Sequence, residues 1–402
     1  MRVLHLIPYI IYPPVFGGAI RIYHLLTHLA KYHTVTVVSM GSEQDSIVMK
    51  SRFGKLVNGI YTAPYPRKYS RKRLGQFFSL FNSRSYGISR FVSRKMQAVL
   101  DHICEHKVFD VVQTEFPMMG RYRLPTEATR ILDAHNVEFD LAQRLRSYST
   151  HPIRRVYNYL EYRKLYHEEI QICADQDVIF TTSDRDKDLL ATEIPAVPKH
   201  VVPNGVDTNY FTPAAGQPDP NTLVFVGSMG YVPNNDGMIY FLDKIFPLIQ
   251  RRIPDARIVI VGGNPSPALL ARASDHIILT GFVEDVREYI GRASVYVVPL
   301  RIGGGTRLKI LEAMAMKRPV VSTAIGCEGI AVTDEETIRI EDDPEHFAGA
   351  VIELLRDARE RKRISENAYE LVLEEYEWSV VTERMLRYYE TLRTAPAWEE
   401  VA

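Results

Sequence analysis

The sequence predicts an α/β protein made of two doubly wound, parallel-sheet domains in tandem. Short apolar, β-branched runs alternate with amphipathic stretches from end to end, the pattern of strands covered by crossover helices. The 402 residues exceed the size at which one core keeps growing, so two cores are expected. Residues 201–207 and 213–221, rich in Pro, Gly and Asp and without periodicity, separate two series of such elements.

In the first series, strands are expected at residues 2–7, 35–39, 110–113, 130–133 and 178–181, with helices near 19–31, 91–105, 154–173 and 183–192. In the second, strands at 223–227, 257–261, 276–279, 295–298 and 319–322 alternate with helices at 236–252, 286–292 and 306–316. Helical pattern resumes near residue 344, and residues 378–392 are long and amphipathic enough to pack across a domain surface. The expected domains are residues 1–203 and 204–377, with a C-terminal helix within 378–402 returning to the first. Ligands of such sheets bind beyond the carboxyl ends of the strands, so the expected site is a cleft between the two domains.

Composition narrows the class. Cys104, Cys173 and Cys327 are scattered, odd in number and without zinc-ligand spacing, which points to a reducing compartment. The N-terminus passes from Ile7 straight into Pro8, then Pro13 and Pro14, too short an apolar run for a signal or a span, so a cytoplasmic chain is expected. Net charge is zero, yet residues 46–100 contain no Asp or Glu and many Lys and Arg, interleaved with Phe77, Phe78, Leu80, Phe81, Ile88, Phe91 and Val92. That composition suits a peripheral surface for anionic membrane lipid; no nucleic-acid module accompanies it.

Two glycine loops carry the chemistry. After the expected strand 295–298 come Gly303, Gly304 and Gly305, three unbranched backbone amides that can be aimed at an anion where a helix begins with Thr306. Gly305, Lys309, Glu312 and Met316 share one face of that helix, setting a cation for phosphate one turn from an acceptor for sugar hydroxyls. Gly17 and Gly18 stand between the first strand and Ala19-Ile20-Arg21, and give the first domain a similar cradle.

With these loops, Asp133-Ala134-His135-Asn136-Val137-Glu138, Val202-Pro203-Asn204-Gly205-Val206-Asp207, Phe225-Val226-Gly227-Ser228-Met229, Val261-Gly262-Gly263, Thr280-Gly281-Phe282-Val283-Glu284-Asp285-Val286 and Leu311-Glu312-Ala313-Met314-Ala315 follow one another in order. The whole chain thereby resembles glycosyltransferase family 4, retaining nucleotide-sugar enzymes of the GT-B fold, two Rossmann-like domains facing across a cleft. The resemblance implies an N-terminal acceptor domain and a C-terminal donor domain. It implies that Glu312 accepts from the ribose, that backbone at Gly281, Phe282 and Val283 lines the base, that Gly17 and Gly18 lie near the donor phosphate, and that His135 lies by the transferred sugar. The donor would be a UDP- or GDP-sugar and the acceptor a saccharide or lipid-linked saccharide, in polysaccharide or cell-surface glycan biosynthesis, with no metal and no further cofactor.

The chain departs from that pattern in two places. Gly304 stands where many members have a first glutamate, eight residues before Glu312, and Ser228 follows Gly227 where many have an arginine, with no lysine in residues 231–236. Lys309, Arg307 and Arg301 are the candidates to replace the missing cations; Asn234 and Asn235 add neutral donors, and Asp236 reads as a helix N-cap. Three other readings remain. A nucleotide-sugar epimerase needs the same cleft without an acceptor, and a non-catalytic nucleotide-sugar binder would tolerate the departures. A dinucleotide oxidoreductase fits worse, because neither loop has three-glycine spacing and strand 35–39 ends without a carboxylate.

Overall fold

The computed structural model describes residues 1–66, 75, 76, 79–125, 127–147, 152–214 and 216–394. The chain divides into two compact units, Met1–Pro203 with the stretch from Val381 onward, and Asn204–Val380. The Trp378–Thr394 helix thus starts in the second unit and counts with the first from Val381, where Tyr389 Oη donates to Gln113 and Tyr388 packs on Phe180 and His200.

The first unit is built on a seven-stranded, all-parallel sheet in the order β3-β2-β1-β4-β5-β6-β7. Its strands are β1 (Arg2–Ile7), β2 (Thr34–Met40), β3 (Gly59–Ala63), β4 (Val111–Glu115), β5 (Thr129–Ala134), β6 (Val178–Thr181) and β7 (Lys199–Val201). The second unit holds six parallel strands in the order β10-β9-β8-β11-β12-β13. These are β8 (Thr222–Val226), β9 (Arg257–Val261), β10 (Ile277–Gly281), β11 (Val295–Val298), β12 (Val320–Ser322) and β13 (Arg339–Ile340). Crossover helices cover both faces of such sheets, so central strands are buried along their whole length, as β4 and β8 are. In each sheet the chain order reverses between two neighbours, β1 and β4 in the first and β8 and β11 in the second. Beyond the carboxyl ends of those pairs the loops splay apart and leave a crevice.

Three strands were not foreseen, and all lie toward sheet edges. β3 begins with Gly59, β7 is only Lys-His-Val, and β13 is two residues long. Helix bounds also shift. The helix expected at 236–252 starts at Val232, because extended Tyr231 precedes it and Pro233 suits a first turn; it runs to Tyr240, through a π turn at Phe241–Ile245, and on over Phe246–Arg252. Asp236 is therefore inside a helix and is not its N-cap. The helix expected from Phe91 starts at Arg94, where Ser93 Oγ accepts from Met96 N at 3.4 Å.

The basic segment 46–100 is only partly the amphipathic surface expected of it. Ile88 and Phe91 are buried in the core, whereas Leu80 and Phe81 are exposed. Phe77, Phe78 and the basic run at 67–73 lie outside the described residues.

Candidate active site

In the second unit the candidate residues lie around the crevice between β8 and β11. The glycine loop follows β11, but the helix after it is Leu308–Ala315, so Thr306 and Arg307 precede it and the three glycines lie one turn upstream of its first amides. The loop keeps the glycines for conformation: Gly305 has φ 69°, which a Cβ would strain, and Gly303 packs against the Arg307 guanidinium. Arg307 folds back to donate to the carbonyls of Gly304 and Gly305. Arg301 is likewise committed, in a two-pronged pair with Asp236 (2.7 and 3.1 Å) and over the Tyr240 ring. Of the three expected substitute cations, Arg301 and Arg307 are thus engaged within the protein and hold the loop in place.

Lys309 is the cation that reaches the crevice. Its Nζ donates to Asn234 Oδ1 at 2.9 Å, lies 4.2 Å from the Phe225 ring centroid, and sits where a Cβ on Gly227 would stand 2.6 Å away. Asn234 is fixed in turn by donating to Ser228 O at 2.9 Å. Glu312, one turn along, is half-buried, and its carboxylate accepts no hydrogen bond from any described residue. The pair is not a solvated surface pair. Burial, reinforced by Arg307, pulls the Lys309 ammonium down to about 7 against the pull of Glu312. Burial pushes the Glu312 carboxyl up to about 7 against the pull of Lys309. Met316, on the same face, is buried core.

Gly281 ends β10, with φ 71°, and its carbonyl accepts from Gly262 N at 3.0 Å at the end of β9. Phe282 beside it is 82% exposed, and Val283 packs partly against the core. Two strand spacings, about 10 Å, separate this turn from the end of β8. The Gly281–Val283 turn, Lys309 and the glycine loop thus run in order along one end of the sheet.

The first unit presents a second constellation at its own crevice, between β1 and β4. The Gly17–Tyr32 helix begins with no side-chain cap, so its first amides are not taken by a side chain. A side chain at Gly18 would overlap the Tyr9 hydroxyl and come 3.1 Å from the Phe116 ring. His135, at the end of β5, is buried: its Nε2 donates to Glu115 Oε2 at 2.7 Å and its ring stacks on Phe116 at 3.8 Å. With Nε2 taken, Nδ1 is the ring atom left to meet a ligand hydroxyl.

Sequence reasoning missed the network behind His135. Glu115 Oε1 accepts from His5 Nε2 at 2.5 Å and from Gln113 at 2.8 Å. Burial alone would push the Glu115 carboxyl up, but the two histidines hold it well below the usual carboxylate range. Arg21 is fully buried and clasps Asp133 at 2.8 and 2.9 Å while donating to Pro203 O at 2.8 Å. Burial raises the Asp133 carboxyl, and Arg21 opposes that rise. Glu115, Asp133 and His135 lie close enough to hold a metal ion, but His5, Gln113 and Arg21 already occupy the carboxylates as hydrogen-bond donors.

Residues 220–357 match the family described as Glycosyl transferases group 1. The match includes the Gly281–Val283 turn, Lys309 and Glu312, and together with the mannosyltransferase relatives it supports a transferase enzyme of the glycosyltransferase kind. An uncharacterized 44.6 kDa protein in the cps region of Klebsiella pneumoniae is 24% identical over 384 residues, 91% of this chain and 94% of that one. The phosphatidyl-myo-inositol mannosyltransferase of Mycolicibacterium smegmatis is 32% identical over 205 residues, 48% of this chain; the alignment spans about half of that relative, 52%. Among solved structures, Anabaena Alr3699/HepE in complex with UDP superposes with a TM-score of 0.69 at 10% identity, covering 97% of this chain and 100% of that one. That likeness establishes the fold, two Rossmann-like units of the kind found in GT-B glycosyltransferases.

Proposed function

We propose that this glycosyltransferase is a family 4-like, retaining enzyme that moves a sugar from a UDP- or GDP-sugar to a saccharide or lipid-linked saccharide, in polysaccharide or cell-surface glycan assembly. The observation that carries the reading is Lys309 held by Asn234 at the end of β8, with an unpartnered Glu312 one turn away and a glycine loop beside them. Breaking the sugar–diphosphate bond puts negative charge on the leaving phosphate, and an ammonium with fixed backbone amides stabilises that charge without a resident metal or cofactor. The leaving phosphate then takes the acceptor's proton on the face from which it departs, so the new bond forms with retention and no separate base is needed. Glu312 holds the ribose, the turn at Gly281, Phe282 and Val283 holds the base, and His135 Nδ1 accepts from a sugar hydroxyl. The mannosyltransferase relative, named for a phosphatidyl-myo-inositol acceptor, supports a lipid-linked acceptor.

Calorimetric titration with UDP, GDP, ADP and NAD tests the donor site. One nucleoside diphosphate should bind, and Glu312→Ala should weaken it about tenfold, the worth of hydrogen bonds to a charged acceptor. Binding of NAD alone, or of no diphosphate, would sink the reading.

A further inference from the structure

The Pro152–Ala174 helix carries a face that the donor site leaves unused. At about 100° per residue, Ile153, Val156, Leu160, Arg163, His167 and Gln171 fall within a sector about 80° wide. The first three are 75%, 61% and 39% exposed, where a globular helix would turn apolar side chains inward. The inward positions are occupied instead by Glu168, Glu169, Ile172 and Cys173, all buried.

Beside this face a turn adds exposed Leu80, Phe81 (79%) and Arg84, and the turn is pinned to the helix. Ser79 Oγ donates to Glu161 at 2.8 Å and Lys164 Nζ to Ser79 O at 2.5 Å; Ser85 N and Tyr86 N donate to Glu168 and Glu161 at 2.7 and 2.6 Å. Between turn and helix opens a cavity of about 470 Å³ lined by Arg84, Arg121, Arg163, Lys164 and His167, with Glu168 as its one carboxylate. Glu168 is already engaged by Ser85 N and lies 3.7 Å from Arg121, while Arg84 and Arg163 make no ion pair among the described residues.

We propose that this face docks on an anionic phospholipid bilayer, with a headgroup phosphate in the cationic cavity and Phe81, Ile153, Val156 and Leu160 in the boundary with the acyl chains. Charge complementarity selects the occupant: a cluster of cations around one engaged carboxylate calls for an anion, and a contiguous apolar stripe beside it calls for hydrocarbon. The proposal rests on the lipid-linked acceptor reading and gives it a physical seat, since a docked enzyme meets its acceptor at the surface where the acceptor is anchored.

Sedimentation of the full chain with vesicles tests it, using phosphatidylcholine alone and an equimolar mixture with phosphatidylglycerol. The protein should pellet with the mixture, not with neutral vesicles, and release as salt rises. Val156→Ser with Leu160→Ser, and separately Arg84→Ser with Arg163→Ser, should each weaken binding about tenfold or more, while titration with UDP and GDP stays at the wild-type value. Equal binding to neutral vesicles, no binding to either, or variants that bind as wild type would overturn it. So would a solution dimer dissolved by the serine pair at 156 and 160, or a cavity that takes inorganic phosphate in a protein that ignores vesicles. Vesicle binding by a protein that binds no nucleoside diphosphate would uphold the docking face and overturn the donor reading alone.

Discussion

Lys309→Ala is expected to raise the Kd of the nucleoside diphosphate about 10- to 100-fold, the range for losing a charge-assisted hydrogen bond. The pH dependence identifies the cause. Lys309 titrates near 7 in the free protein, so above that pH it must recover a proton before it can pair with phosphate, and affinity falls. Glu312 also titrates near 7, so below that pH its carboxyl is protonated and a poorer acceptor for ribose, and affinity falls again. Wild-type affinity should therefore peak near neutrality. Lys309→Ala should lose the alkaline limb and keep the acid one, and Glu312→Ala the reverse.

Stability without ligand should respond with the opposite sign. The folded pKa of Lys309 is depressed from 10.5, so the residue opposes folding fully below about pH 7 and ceases to do so as pH rises toward 10.5. The folded pKa of Glu312 is raised from 4.5, so its cost is absent below about 4.5 and grows as pH rises to about 7. Both costs overlap at neutrality, where the proposed donor site is expected to bind most tightly. Lys309→Met, which keeps the stem over Phe225, should melt higher than wild type at pH 7 while binding diphosphate worse. A lysine kept for packing would lose stability instead, so thermal melting and calorimetry on one variant separate the two roles.

The fold was legible because buried parallel strands are apolar throughout. Val295–Val298 and Val178–Thr181 announce themselves, whereas Lys199–Val201 does not, being a polar edge of three residues. Helical spacing was enough to put Lys309 and Glu312 on one face. It could not say that Arg301 would turn to Asp236 or Arg307 to its own loop, because those are choices of rotamer and partner across 65 residues in one case and within three in the other. The first unit's network did leave a signal. His5 inside Arg-Val-Leu-His-Leu-Ile, Gln113 and Glu115 inside Val-Val-Gln-Thr-Glu, and Asp133 inside Thr-Arg-Ile-Leu-Asp-Ala are polar residues in strands buried on both faces. Such residues must find partners, and their strands, β1, β4 and β5, are neighbours.

Arg21→Met should cost the protein about 3–5 kcal/mol, the largest single effect on stability expected here, because it strands a fully buried carboxylate. Asp133 would lose both of its guanidinium hydrogen bonds, and Pro203 O would lose its donor at the segment that leaves the first unit. In a unit of this size that is a fall in Tm on the order of 10 °C. The sign of the pH response follows from the charge left behind. Without Arg21, burial acts on Asp133 unopposed and raises its folded pKa further, so the variant keeps most of its stability where Asp133 is protonated and loses it as pH rises through that value. The deficit relative to wild type should therefore shrink on acidification. Adding Asp133→Leu removes the stranded charge and should recover most of the loss, short of the roughly 1–3 kcal/mol that the unmatched Pro203 carbonyl costs. If the double variant is no more stable than Arg21→Met, the damage lies in packing around the stem of Arg21, and the Arg21–Asp133 pair is not what joins the first helix to β5 beside His135.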